Sequence, residues 1–132
     1  MKDKKKIIWF TGQPGSGKTT LSNALQKRLK ESEQSINCIS VDGDDLRDIL
    51  VNKDYSEKGR RKNIETAISL TKFLQSKGFL VIVSLVSPYK DLRDMLKNDR
   101  ETMEVYLFID EKRGKENFFV DGYQKPTENF LS

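Results

Sequence analysis

Residues Gly12-Gln13-Pro14-Gly15-Ser16-Gly17-Lys18-Thr19 constrain this chain more than any other stretch. They satisfy the pattern G-x-x-x-x-G-K-[ST] at every required position. Glycines let the backbone fold into a nest whose N–H groups converge on phosphate oxygens. Lys18 carries a charge that reaches β- and γ-phosphates, and the Thr19 hydroxyl suits Mg²⁺. A helix starting here adds the positive end of its dipole. The flanks agree with that demand. Lys6 to Thr11 reads as a buried strand feeding the loop, and Leu21, Ala24, Leu25 and Leu29 then recur at helical spacing. The sequence therefore predicts binding of ATP with Mg²⁺. Gly12, Gln13, Pro14, Gly15, Ser16, Gly17, Lys18, Thr19 and Thr20 would lie around its phosphates, with Thr19 as a metal ligand.

At 132 residues the chain predicts one domain, residues 1–132, with room for a real core and none for a second. No apolar run approaches bilayer length and no secretory signal is visible, so the expectation is a cytoplasmic protein with no membrane partner. The single Cys38 lies in an apolar, strand-like run and reads as a buried structural thiol. The net charge of +4 suits a nucleotide site as well as nucleic acid. The run Lys4-Lys5-Lys6 is read as a solvated terminus rather than a polynucleotide surface. There is no histidine. Acid–base work must then fall to Asp or Glu.

Strands and helices alternate along the chain. Strands are predicted over about 5–11, Ile36–Val41, Phe79–Val86 and Met103–Ile109. The first helix would run from the loop to about Glu33. Asp44 or Asp45 would cap a short helix through Leu50. Ser56 would start a longer one that buries Ile64, Ala67, Ile68, Thr71 and Leu74 and stops at Lys77-Gly78. Asp91 to Asn98 reads as helical. Phe79–Val86 is almost wholly apolar, as a central parallel strand covered on both faces must be. This alternation predicts an α/β fold in three layers, a parallel sheet flanked by helices. Ligands in such sheets lie beyond the carboxyl ends of the strands. There the P-loop, Asp42-Gly43-Asp44-Asp45, Ser87-Pro88-Tyr89 and Asp110-Glu111-Lys112-Arg113 should converge.

Several P-loop classes fit poorly. Asn52-Lys53-Asp54 is one residue short of the guanine-reading N-K-x-D and comes too early. The central strand ends in Ser84 to Ser87, without the acidic pair of motor ATPases. Small-molecule kinases tolerate that absence, and their acceptor carboxylates follow the second strand, where Asp42 and Asp44 stand.

Three further motifs carry a closer resemblance. Asp42-Gly43-Asp44-Asp45-Leu46-Arg47 resembles the D-G-D-N-x-R motif of adenylylsulfate (APS) kinases. Tyr55-Ser56 with Arg60 and Asn63-Ile64 resembles their F-S-x-x-D-R-x-x-N-I segment. Leu85-Val86-Ser87-Pro88-Tyr89, followed by Arg93, is similar to their I-S-P-Y motif and its downstream arginine. With the P-loop, these motifs span residues 7–109 in family order. The resemblance implies an ATP-dependent phosphotransferase acting on the ribose 3′-hydroxyl of a nucleotide, typically adenylylsulfate in sulfate assimilation. It implies that Lys18, Asp42, Asp44 and Ser87 form the catalytic group. Asp42 and Asp44 would lie near the acceptor hydroxyl and the metal, with Asp44 favoured as base and Mg²⁺ partner. Asp42, Arg47, Tyr55, Arg60, Asn63, Ile64, Ser87, Pro88 and Tyr89 would line the acceptor, with Tyr55 in place of the family's stacking phenylalanine. Ser87 matches a serine described in some members as a phosphorylated intermediate. Direct in-line attack needs no covalent step, so Ser87 is read here as ordering the acceptor pocket. Members often dimerise, which makes a homodimer one expectation.

The chain also departs from the pattern. Asp45 and Gly59 replace an Asn and an Asp, and the long lid with R-D-x-K-G-L-Y and F-T-G is missing. Residues 110–132 resemble a shorter-lid branch, with Tyr123 and Pro126 echoing Y-E-x-P. Lys112, Arg113 and Lys115 are candidates for a charged lid, with Arg113 over ATP. The alternatives are another nucleotide acceptor such as cytidine diphosphoramidate, a P-loop protein that binds nucleotide without transfer, and a polynucleotide 5′-kinase.

Overall fold

The computed structural model describes residues 6–32, 36–108, 120 and 122–124. Four strands form one parallel sheet: β1 (Ile7–Gly12), β2 (Cys38–Asp42), β3 (Leu80–Leu85) and β4 (Thr102–Leu107), in the order β2-β3-β1-β4. Helices α1 (Lys18–Glu31), α2 (Gly43–Leu50), α3 (Glu57–Ser76) and α4 (Lys90–Asp99) connect them. All four predicted strands exist, each shifted by a residue or two. The last reaches Leu107; Ile109 lies outside the described residues.

Alternation along the strands builds two cores, one on each face. Ile7 and Trp9 of β1 meet Val81, Val83 and Leu85 of β3 beneath Ile64, Ala67 and Ile68 of α3 and Leu92 and Leu96 of α4. The intervening residues Ile8 and Phe10 meet Leu80 and Ile82 beneath Leu25 and Leu29 of α1, where Cys38 is also buried. Each core strand must be apolar on both faces to serve both layers. This is the three-layer fold of P-loop NTPases. No helix among the described residues is long and apolar enough to cross a membrane.

Two local expectations are corrected. The α1 face is Ser22, Leu25 and Leu29, while Leu21 and Ala24 are exposed. The spacing was helical, but the loop rotates α1 so that Lys18 and Ser22 face inward. The cap of α2 is Asp42, whose Oδ1 accepts from the Asp44 amide at 2.9 Å, rather than Asp44 or Asp45. The strand therefore delivers its last side chain directly into the helix start. Ser56 does cap α3 as expected, accepting from the Gly59 amide at 3.3 Å.

Candidate active site

Gly17 makes the loop-to-helix turn with φ +101°, a left-handed conformation that disfavours side chains. The turn aims the first amides of α1 across the sheet edge. Lys18 folds back over the loop. Its Nζ donates to the carbonyls of Gly12 (3.0 Å) and Gln13 (2.9 Å) and to Ser16 Oγ (3.4 Å). Burial pulls its ammonium down from 10.5 to about 8, and the charges of Asp44 and Asp42 only partly oppose this.

Beside the loop is a cleft of about 570 Å³, lined on one side by Pro14, Gly15, Gly17, Lys18, Thr19 and Thr20. Asp42, Asp44, Arg47, Tyr55, Arg60 and Asn63 line it as well, with Val120. Two of the four polar groups expected at the strand ends thus converge, while the third, Ser87-Pro88-Tyr89, lies outside the lining. The fourth, which includes Arg113, and the neighbouring Lys112, Lys115 and Pro126 lie outside the described residues.

Asp42 and Asp44 are not equivalent. Asp42 Oδ1 caps α2, and its Oδ2 accepts from Thr19 Oγ1 at 3.1 Å. Asp44 is exposed, lines the cleft, and its carboxylate makes no hydrogen bond among the described residues. The oxygen beside Thr19 is therefore that of Asp42, where the sequence favoured Asp44. Hard oxygen donors at this spacing fit Mg²⁺, which takes one or two protein oxygens and fills the rest of its shell with water and phosphate. Ser84 stands opposite Asp42 in the β2–β3 register, in the same wall. Its buried Oγ has no partner, which leaves it available to a water or phosphate oxygen. Sequence reasoning missed Ser84; the signal was a hydroxyl within an otherwise apolar central strand.

The acceptor-side residues divide into two groups. The Arg47 guanidinium covers one face of the Tyr55 ring at 4.1 Å while Nη1 donates to the carbonyls of Asn52 and Asp54, each at 3.0 Å. Arg60 donates to the Tyr55 carbonyl and, at 2.9 Å, to the Tyr89 hydroxyl. Two cations and an exposed aromatic ring thus face the cleft together. Asn63 Nδ2 reaches the Gly43 carbonyl at 3.5 Å, and its buried Oδ1 is unpartnered. Ile64, in contrast, is a core residue beneath β3, and Pro88 is fully buried. Neither lines the cleft. Arg61 is spent outside the cleft on ion pairs with Glu57 and Asp91.

Ser87 also lies away from the cleft lining, fully buried behind β1. Its Oγ accepts from Trp9 Nε1 (3.0 Å), contacts Thr11 Oγ1 (2.7 Å) and donates to the Leu85 carbonyl (3.2 Å). One proton of this group has a forced direction. The Tyr123 hydroxyl accepts from the Gly12 and Ser87 amides at 2.7 and 2.9 Å, so its own proton goes to Thr11 Oγ1. Thr11 Oγ1 has two acceptors in reach, Ser87 Oγ and the Ser87 carbonyl at 3.3 Å, and Ser87 Oγ donates to the Leu85 carbonyl. Burial holds the Tyr123 phenol above its ordinary value, hence neutral. The Ser87 proton consequently points into the core.

A glycine-turned loop between β1 and α1, a buried lysine over it and a carboxylate delivered beside Thr19 by the neighbouring strand define a P-loop nucleotide-binding protein. The profile of the adenylylsulphate kinase family matches residues 4–118. The chain belongs to that family. It is 33% identical to the cytidine diphosphoramidate kinase of Campylobacter jejuni, over 99% of this chain and 79% of that protein. It is 36% identical to the adenylyl-sulfate kinase of Staphylococcus carnosus, over 78% of this chain but 53% of that one. Among solved structures, an APS kinase from Mycobacterium tuberculosis superposes with a TM-score of 0.75 at 25% identity, covering 96% of this chain and 83% of that one. The chain thus spans about half the length of the Staphylococcus enzyme and most of the Campylobacter one.

Proposed function

We propose that this protein is a kinase that transfers the γ-phosphoryl group of ATP to the ribose 3′-hydroxyl of a small nucleotide. The observation that carries this reading is the shared cleft, with the P-loop and Lys18 on one side and Arg47, Tyr55 and Arg60 on the other. A hydrolase needs no such second half. ATP would lie along the loop amides, with Lys18 leaving its carbonyl partners for the phosphate oxygens. Thr19 and Asp42 would hold Mg²⁺, which when bound neutralises charge between the β- and γ-phosphates. Asp44, free of other bonds, is suited to orient the acceptor hydroxyl and take its proton. Arg47 and Arg60 would meet the acceptor's anionic linkage, and the uncovered face of Tyr55 would receive its base. The attacking and leaving oxygens then lie in line with little covalent work left to the protein. Ser87 orders the site from behind and does not carry the phosphoryl group.

Membership of the family supports adenylylsulfate as the acceptor. A second reading, a cytidine nucleotide such as cytidine diphosphoramidate, is supported by the likeness to the Campylobacter enzyme across almost the whole chain. The test is ADP release from Mg·ATP with adenylylsulfate, cytidine diphosphoramidate and a short DNA oligonucleotide. Turnover with adenylylsulfate supports the first reading and turnover with the cytidine compound alone the second. ATP binding with no turnover on any acceptor would overturn the kinase reading.

A further inference from the structure

Val120 and Tyr123 lie more than 100 positions after the P-loop, yet they make contacts at its base. Gln13 grips Val120 at two points: Nε2 donates to the Val120 carbonyl at 2.8 Å, and Oε1 accepts from its amide at 2.9 Å. A side-chain amide here completes a main-chain pair that would otherwise need a strand. The Tyr123 hydroxyl closes on the amides of Gly12 and Ser87 and on Thr11, as described above. Arg93 supports that arrangement from below. It is fully buried, donates to the carbonyls of both Ser87 and Gln124, and is neutralised by Glu104, which also accepts from Lys97. Gln124 makes two more bonds: its backbone amide donates to the Pro88 carbonyl at 2.9 Å, and its Oε1 accepts from the Lys90 amide at 2.7 Å.

We propose that Tyr123 is a positioning residue for the phosphate site, acting through the Gly12 and Ser87 amides and touching no substrate itself. This rests on the kinase reading above. The reasoning is one of hydrogen-bond supply. Gly12 is the first residue of the loop, and its carbonyl is one of the two that hold Lys18. Its amide has the Tyr123 oxygen as partner at 2.7 Å. Removing that oxygen strands two buried donors at once and frees the loop's first peptide to rotate. The same oxygen ties the loop to the buried turn after β3 through the Ser87 amide, which anchors the loop's first peptide against the core. The ring itself packs against Tyr106, with centroids 5.9 Å apart, and does not need the hydroxyl to stay seated.

The test is Tyr123→Phe, which keeps the ring and deletes only the oxygen. Affinity for Mg·AMPPNP is measured by calorimetry, and KM for ATP and for the acceptor are measured separately. The expected result is a loss of about tenfold in AMPPNP affinity and a matching rise in KM for ATP, the scale of an unpaired buried donor, with KM for the acceptor changed far less. A purely structural tyrosine would lower the melting temperature and the active fraction but leave both KM values alone, and that result would overturn the proposal. If the variant does not fold, hydrogen exchange on the wild-type chain decides. Mg·AMPPNP should slow exchange at residues 120–124 as well as at the loop, because coupling is reciprocal; protection confined to the loop would overturn it. Failure of wild-type protein to bind AMPPNP would instead strike at the kinase reading.

Discussion

Lys18 carries two opposite dependences on pH. Its ammonium titrates at about 8 in the empty fold and at 10.5 in the unfolded chain. Between those values the unfolded state holds more protons, so the stability of the nucleotide-free protein should rise as pH climbs through that window. ATP affinity should fall over the same interval, because the charge that meets the phosphates is being lost. Urea unfolding and nucleotide titration at matched pH values would check both signs. Lys18→Ala should abolish turnover with circular dichroism unchanged, because the side chain is held by loop carbonyls and not by the core. The two aspartates separate in the same way. Asp42→Asn should raise the Mg²⁺ concentration needed for turnover and also weaken the α2 cap, whereas Asp44→Asn should lower kcat by tenfold or more, about 1.4 kcal/mol in the barrier, with nucleotide affinity preserved. A pure affinity loss in Asp44→Asn would refute its place near the reacting atoms.

At the scale of the element, the segment between α2 and α3 is where local rules are broken. Val51 closes α2 at φ 53°, ψ 43°, a left-handed position that a β-branched residue rarely takes. It is 72% exposed, so no packing rewards the strain. Val51→Gly should therefore stabilise the fold by about 0.5–1 kcal/mol in urea unfolding, set by the cost of a left-handed non-glycine residue less the entropy of glycine. Gly59 behaves in the opposite way. A Cβ there would sit 2.0 Å from the Asp54 carbonyl oxygen. The loop that carries Tyr55 is folded down against the first turn of α3, with Asn52 Nδ2 on the Gly59 carbonyl at 3.1 Å. Gly59→Ala, favourable by helix propensity, should cost about 1–3 kcal/mol as an overpacked contact and weaken acceptor binding. That contact explains why glycine stands where the family pattern has Asp. The sequence showed the departure but could not show its cause, because the clash is with a residue whose path depends on tertiary structure. The Ser56 cap was legible for the converse reason: donor and acceptor are three residues apart.

Across the whole molecule, what was legible followed periodicity and what was not followed long-range pairing. The apolar run at Val81–Val83, the phosphate loop and the α3 face announce themselves over a few residues, and they fix the three layers. Nothing near Arg93 on α4 indicates that its guanidinium will be fully buried, because its counter-charge, Glu104, is on strand β4. That pair gives a further expectation: Glu104→Gln leaves a buried cation unpaired and should cost about 3–5 kcal/mol, measured by urea unfolding and larger than any surface charge change. Ser87 and Ile64 belong to the same class, since motif position suggested the cleft while the fold turned both inward. Thr11 and Gly12 were read from their neighbours alone, and their partner proved to be Tyr123. That separation of 111 residues between Gly12 and Tyr123 also sets a timetable. A chain lengthening at about 5–20 residues per second makes its phosphate loop first and waits roughly 5–20 s for the tyrosine that secures it. The newborn chain would carry the whole motif in that interval without the geometry to use it, and ATP would first be held firmly when the distant residue arrives.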